Sequence, residues 1–348
     1  MSTFTVRPTT AADVIAGQEL FPGMQPNHWA PGGNRRSFAL LGEGSEVLGH
    51  CRGIDNPIHP HSRTLVFEVA PVVRGTAAEV ALLQAQIDAS TLPLHAKPTG
   101  DDRALCALLE RCGGILVQLM PPWRRAVGPE LRRWAEQVLQ GAAGVAEESS
   151  VSGASGLLGV AAPRIVPARD VPLAELQALE VEHYIAQHAS WSPAADPVTL
   201  REAFAEDHDP RSADTWDRDC SQALVGANGS VLAAALLWGS PGTAVAPATG
   251  DDAPELVHLS RPFGGAEACA WKQQVIAAVV AELPDGAEVC IDAHASLAKE
   301  YAAIATIPGC VDRMWTAIVA VPVPGGPAPI PFSAELIPDQ AAWARAFA

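Results

Sequence analysis

Hydrophobic and polar positions change their period along this chain in an order that occurs twice. In the first half, short alternating or apolar runs predict strands at residues 4–7, 37–41, 47–53, 64–69, 92–96 and 115–120. Leu65, Phe67 and Val69 alternate with other positions, as expected of a strand with one buried face. Helical periods follow Thr10-Ala11-Ala12-Asp13 and cover 77–89 and 103–111, while Gly42-Glu43-Gly44-Ser45 marks a hairpin turn. The second half reads the same way. Strands are predicted at 164–167, 222–225, 231–238, 255–259, 288–293 and 314–321, with helices at 173–187, 199–206, 267–283 and 297–305.

The repeated order predicts two α/β (α+β) domains, at 1–127 and 163–322. Residues 128–162 join them as a helix over 129–139, with Arg132 and Arg133 on a polar face, and an Ala/Gly/Ser-rich linker over 141–156. Residues 323–348 read as a Pro-rich tail with a short helix near 339–347. A length of 348 residues with 48% hydrophobic and 18% charged positions suits two such cores.

Composition narrows the function classes. No run approaches the roughly 20 apolar residues of a membrane helix, and the opening residues lack a signal-peptide pattern, so a soluble cytoplasmic protein without a membrane partner is expected. The seven cysteines contain no C-x-x-C pair, so they read as small buried residues in a reducing compartment, with no metal. Residues 1–150 hold thirteen basic against fifteen acidic residues, and residues 151–348 hold ten against twenty-four, a net of −14. Such acidity excludes nucleic acid as a natural partner and attracts a cationic small molecule.

The strand at 255–259 runs into Arg261-Pro262-Phe263-Gly264-Gly265-Ala266 and then into a long helix. A glycine turn at a helix N-terminus directs several backbone N–H groups one way, and the helix dipole adds partial positive charge, which suits a pyrophosphate. Gly264 and Gly265 admit close backbone approach, and Ala266 is small for the same reason.

Arg261-x-x-Gly264-x-Ala266 resembles the (Gln/Arg)-x-x-Gly-x-(Gly/Ala) signature of the GNAT superfamily of acyl-CoA-dependent N-acyltransferases, and it stands after the fourth strand as it does there. His294-Ala295-Ser296-Leu297-Ala298-Lys299-Glu300-Tyr301 is similar to the family segment after the fifth strand, with His294 in place of the usual Asn and Tyr301 at the tyrosine position. The resemblance implies a mixed, mostly antiparallel central sheet flanked by helices in each domain. It also implies acetyl-CoA or another acyl-CoA as co-substrate, held by Leu259, Arg261, Phe263, Gly264, Gly265, Ala266 and His294. By the same resemblance Tyr301 protonates the leaving thiolate, Glu255 is a candidate general base, and a backbone N–H near Leu259 holds the thioester carbonyl. His258, three residues from Glu255, points to the opposite face unless a strand bulge of the kind known in the family intervenes.

Arg74-Gly75-Thr76-Ala77-Ala78-Glu79 in the first half keeps the arginine and the spacing, but Glu79 would repel a pyrophosphate. Leu108 stands at its tyrosine position. The first domain therefore resembles a degenerate copy, in a layout similar to tandem members such as mycothiol synthase. The expected reaction is acyl transfer to the amine of a cationic small molecule, in antibiotic modification or in biosynthesis. A homodimer, a non-catalytic CoA-binding regulator, O-acylation and decarboxylation stay open as alternatives. His59-Pro60-His61 reads as a loop, Ser260 lies outside any G-x-S-x-G elbow, and Trp191, Trp216 and Trp238 read as core or rim packing.

Overall fold

The structure, a computed structural model, describes residues 4–27, 35–100, 102–120, 123–151, 162–209, 212, 215–239, 253–261, 263–291, 293–311 and 316–332. In chain order the elements begin with β1 (Thr5–Pro8), α1 (Ala11–Gly17), β2 (Arg35–Leu41), β3 (Val47–Asp55), β4 (Arg63–Val69), α2 (Ala77–Ala89) and β5 (Leu94–Ala96). Then come α3 (Arg103–Arg111), β6 (Ile115–Met120), β7 (Arg124–Ala126), α4 (Pro129–Val151), β8 (Arg164–Pro167), α5 (Leu173–His188) and α6 (Pro197–Ala203). The last are β9 (Gln222–Val225), β10 (Val231–Trp238), β11 (Glu255–Ser260), α7 (Ala266–Glu282), β12 (Glu288–Ile291), α8 (Ala298–Ala305) and β13 (Thr316–Val321).

Two compact units result. The first takes its described residues from Met1–Leu119, His188–Ala195 and Met314–Ala348, the second from Met120–Gln187 and Asp196–Arg313. The first holds a sheet of order β1-β2-β3-β4-β5-β13-β6, the second one of order β7-β12-β11-β10-β9-β8. Both are mixed and mostly antiparallel, as expected. The parallel pairs are β4 with β5 and β11 with β12.

Three expectations need correction. The strand predicted at 314–321 was assigned to the second domain, yet β13 pairs with β5 in the first sheet, through Val319↔Ala96 and Val321↔Leu94. Its run Thr-Ala-Ile-Val-Ala-Val is apolar on both faces, which suits a central strand but names no partner. Conversely β7, unpredicted because it has only three residues, pairs with β12 in the second sheet, although 1–127 was read as one domain. Finally, α4 continues to Val151 through much of the expected linker, because Ala-rich sequence carries helix through isolated glycines. The remainder of the linker at 152–156 and the helix near 339–347 lie outside the described residues.

Local chemistry explains the element ends. Thr10 opens α1 with a reciprocal capping box, accepting from the Asp13 N–H at 3.3 Å while the Asp13 carboxylate accepts from the Thr10 N–H at 2.7 Å. Asp196 caps α6 by accepting from the N–H groups of Val198 and Thr199. In the second unit the sheet is covered on both faces. Val275, Ile276, Val279 and Val280 of α7 pack with Leu131 of α4, Ile304 of α8 and Leu256 of β11. On the other face Leu176 and Leu179 of α5 pack with Trp216, Val257 and Leu259. Alternate residues of β11 thus face opposite layers, and this decides which of its side chains reach the site.

Candidate functional site

The turn between β11 and α7 is closed at its start by the Arg261 N–H, which donates to Leu232 O of β10 at 2.6 Å. Gly264 lies in the left-handed region at φ 72°, where a side chain would be strained. Gly265 is the N-cap of α7, and no side chain caps this helix. A Cβ on either glycine would meet nothing within 4 Å, so the outer side of the turn is open and the first-turn N–H groups face outward, the geometry that receives an anion. Arg261 does not point its charge there. Its guanidinium donates to the Glu182 carboxylate of α5 at 2.6 and 3.1 Å, with Glu175 at 4.0 Å, so it anchors the turn.

The corresponding turn of the first unit is filled by its own side chain. The buried Glu79 carboxylate accepts from the Gly75 N–H at 2.6 Å and lies 3.5 Å from Arg111. A carboxylate thus holds the place an external anion would take, the physical form of the mismatch visible in the sequence. Beside it a cleft of about 270 Å³ is lined by Phe21, Phe67, Glu68, Arg74, Glu79 and Asp102 among others.

Along β11, pairing with β12 covers Glu255↔Cys290 and Leu256↔Ile291. Pairing with β10 is continuous from Trp238↔Glu255 to Ala233↔Ser260, so no bulge interrupts this ladder and the alternation predicted for Glu255 and His258 holds. The shift in register lies one strand away, between β9 and β10 at Val231 and Ala233. Glu255 and His258 therefore face opposite layers, Glu255 exposed at the outer end and His258 buried. Because the Arg261 N–H faces β10, strand alternation turns the Leu259 N–H the same way. The donors directed to the β12 side are those of His258 and Ser260, which moves the candidate carbonyl donor from Leu259 to its neighbours.

On that side the structure brings together groups from four elements. Lys272 of α7 and Glu300 of α8 are each 2% exposed, and Lys272 Nζ donates to Glu300 Oε2 at 2.5 Å. The same Nζ lies 3.3 Å from His183 Nε2 of α5. Glu300 Oε1 lies 3.8 Å from His258 Nδ1. Phe263 of the turn covers the cluster, its ring centroid 5.2 Å from that of His183 and 6.0 Å from Lys272 Nζ. Burial first, and then the charge of Lys272, holds the His183 imidazole well below its ordinary range, so it is neutral near pH 7. His294 is buried and accepts from the Leu297 N–H at 3.0 Å, opening α8, and Tyr301 is buried in the first turn of that helix. Ser260 Oγ and Glu300 Oε1 are buried side-chain oxygens without a hydrogen-bond partner. Buried polar atoms left unpaired in this way fit contact with a polar ligand.

His183, Lys272 and Glu300 were not anticipated. One of them was detectable: Lys272 stands four residues from both Ala268 and Ile276, on the apolar stripe of α7. The other two become site residues only through packing. The tryptophans are placed as packing groups: Trp216 is buried with Arg218 5.6 Å above its ring, and Trp191 of the first unit sits 5.0 Å from His188. His59 Nδ1 lies 2.9 Å from Ser192 O in the first unit.

By sequence, the chain matches no family model and none of the curated proteins. By structure, it is similar to the GCN5-related glucosamine N-acetyltransferase region of a fungal multi-domain β-N-acetylglucosaminidase, with TM-score 0.50 and 9% identity over 92% of this chain and 38% of that one. It also aligns with a GCN5-related N-acetyltransferase from Sphaerobacter thermophilus, at TM-score 0.49, 13% identity and 92% and 97% coverage of the two chains. A tandem GNAT protein from the clavulanic acid biosynthesis pathway aligns at TM-score 0.46 and 14% identity, over 94% of this chain and 100% of that one. The chain has the fold of the GCN5-related N-acetyltransferases.

Proposed function

We propose that the second unit transfers an acyl group from acetyl-CoA or another acyl-CoA to the amine of a small, cationic molecule. One observation carries this reading: the uncapped α7 N-terminus behind Gly264 follows directly on β11, whose last residue, Ser260, holds a buried side-chain oxygen without a hydrogen-bond partner. The N–H groups behind Gly264 and Gly265 would hold the pyrophosphate, and Phe263 would lie along the adjoining arm. When bound, the acyl-CoA supplies an activated thioester carbonyl. The backbone N–H groups of His258 and Ser260 are directed where they can stabilise charge on that oxygen. Tyr301 is assigned as the acid that returns a proton to the thiol, and His294 as a wall of the arm's channel. Much of the acceleration comes from holding amine and thioester together.

The net charge of −14 over residues 151–348 supports a cationic acceptor, as in antibiotic modification or biosynthesis. The filled turn at Glu79 supports a single cofactor site, with the first unit as scaffold. Calorimetry with CoA and mass spectrometry of an amine panel incubated with acetyl-CoA test the reading. Tyr301→Phe should lower kcat by about 10²-fold or more with little change in CoA affinity. Intact turnover in that variant removes the general-acid role, and absence of CoA binding favours a non-catalytic protein on this fold.

A further inference from the structure

The first unit carries a cleft that acyl transfer in the second does not use. It measures about 270 Å³ and lies at the end of β4 and the N-termini of α2 and α3, with Phe21, Phe67 and Leu105 as apolar lining. Its charged lining divides into groups that are spent and groups that are not. Glu79 is spent, since its carboxylate accepts from the Gly75 N–H at 2.6 Å and lies 3.5 Å from Arg111. Asp102 caps α3, its Oδ1 accepting from the Leu105 N–H at 3.1 Å. These two carboxylates take up the partial positive charge of the two helix N-termini. Glu68 and Arg74 remain. The Glu68 side chain is 45% exposed, and its Oε2 accepts from the His50 imidazole. Burial, the largest influence on His50, holds that imidazole below its ordinary range, so it is neutral near pH 7 and leaves the charge of Glu68 standing. Arg74 is exposed, and its guanidinium makes no ion pair or hydrogen bond among the described residues.

A simple anion in this cleft is repelled by Glu68, and a simple cation by Arg74. A molecule with both charges satisfies both, because a guanidinium binds a carboxylate through two parallel N–H bonds and a carboxylate accepts from an ammonium. The volume is just under the roughly 300–1,000 Å³ usual for pockets of drug-sized ligands, which suits about a dozen non-hydrogen atoms. The two phenylalanines ask for an apolar group on that molecule. We propose that this cleft is a binding site for a zwitterionic amino acid with an apolar side chain. Its carboxylate lies on Arg74, its ammonium on Glu68, and its side chain against Phe21 and Phe67. The site belongs to the first unit alone, so it stands whether or not the second unit transfers an acyl group.

The test is calorimetry of the full chain with L-phenylalanine as the probe. Two analogues that each lack one charge run beside it: phenylalaninamide, without the carboxylate, and hydrocinnamate, without the ammonium. Phenylalanine should bind at one site per chain, and both analogues should bind about tenfold more weakly or worse. Arg74→Gln should weaken phenylalanine by about the same factor and leave phenylalaninamide unchanged, since that analogue has no carboxylate to lose. Glu68→Gln should weaken phenylalanine and leave hydrocinnamate unchanged, while its amide oxygen still accepts from His50. Absence of phenylalanine binding to the wild type overturns the proposal. Equal affinity for phenylalanine and either analogue overturns the zwitterion as the ligand class. An unmoved Kd in both variants overturns this cleft as the place of binding. The analogue series is read on the wild type, so it decides the ligand class even if a variant fails to fold.

Discussion

Ending the chain after Arg313 should unfold the first unit while leaving the second folded. The truncation removes β13, which lies between β5 and β6 in the first sheet. Ile318, Val319 and Val321 are 4%, 7% and 0% exposed there, and Ala317 and Ala320 are fully buried. At about 1.5–3 kcal/mol for each of the three large side chains, their burial contributes about 5–9 kcal/mol, before any loss of ladder hydrogen bonds. A whole domain has a net stability of about 5–15 kcal/mol, so the loss is of the size of the unit's entire margin. The second unit takes none of its described strands from beyond residue 313. Urea unfolding followed by circular dichroism, with limited proteolysis to identify the surviving core, should show two transitions in the full chain. The 1–313 chain should show one, with protection confined to residues of the second unit. If it keeps both transitions at unchanged midpoints, β13 does not hold the first sheet together and the reasoning fails.

Two further outcomes follow from single residues. Gly264→Val places a branched side chain at φ 72°, at a strain of about 1–2 kcal/mol, and should weaken CoA binding tenfold or more by calorimetry; an unchanged Kd would remove the turn from the site. In the first unit His95 is pushed down to about 4, by burial first and then by the charge of His59. Its folded pKa lies below its unfolded value of about 6.5, so the unfolded chain binds the extra proton and stability present above pH 6.5 is lost as pH falls toward 4. The loss should be on the order of 1–3 kcal/mol, and His95→Gln should flatten the wild-type slope in that window; parallel slopes for the two proteins would contradict it.

How far the sequence could be read depended on the distance over which each feature is decided. The turn at Arg261–Ala266 was legible because glycine positions and the strand before them set its backbone locally, and Gly264 takes the left-handed conformation that such a turn requires. The role of Arg261 was less legible, since its guanidinium is claimed by Glu182, a residue seventy-nine positions away. The misfit at Glu79 was visible as a wrong charge, but only packing shows the carboxylate seated on the Gly75 N–H. For Glu255 and His258, alternation predicted opposite faces. A bulge was the open question, and the continuous β10–β11 register decided it.

By itself the sequence determined two α+β repeats, nearly all their elements, and one glycine turn poised at a helix N-terminus. These depend on side-chain period and backbone preference within a few residues. Only the tertiary structure decided which sheet receives β7 and β13, and that Lys272, Glu300, His183 and His258 share one buried cluster. An apolar strand satisfies its pattern in any sheet interior, so its place is set by whichever neighbours offer unpaired backbone and unfilled volume. A buried charge likewise carries no mark of its partner in the sequence. Its partner is whatever the packed helices bring within hydrogen-bond reach.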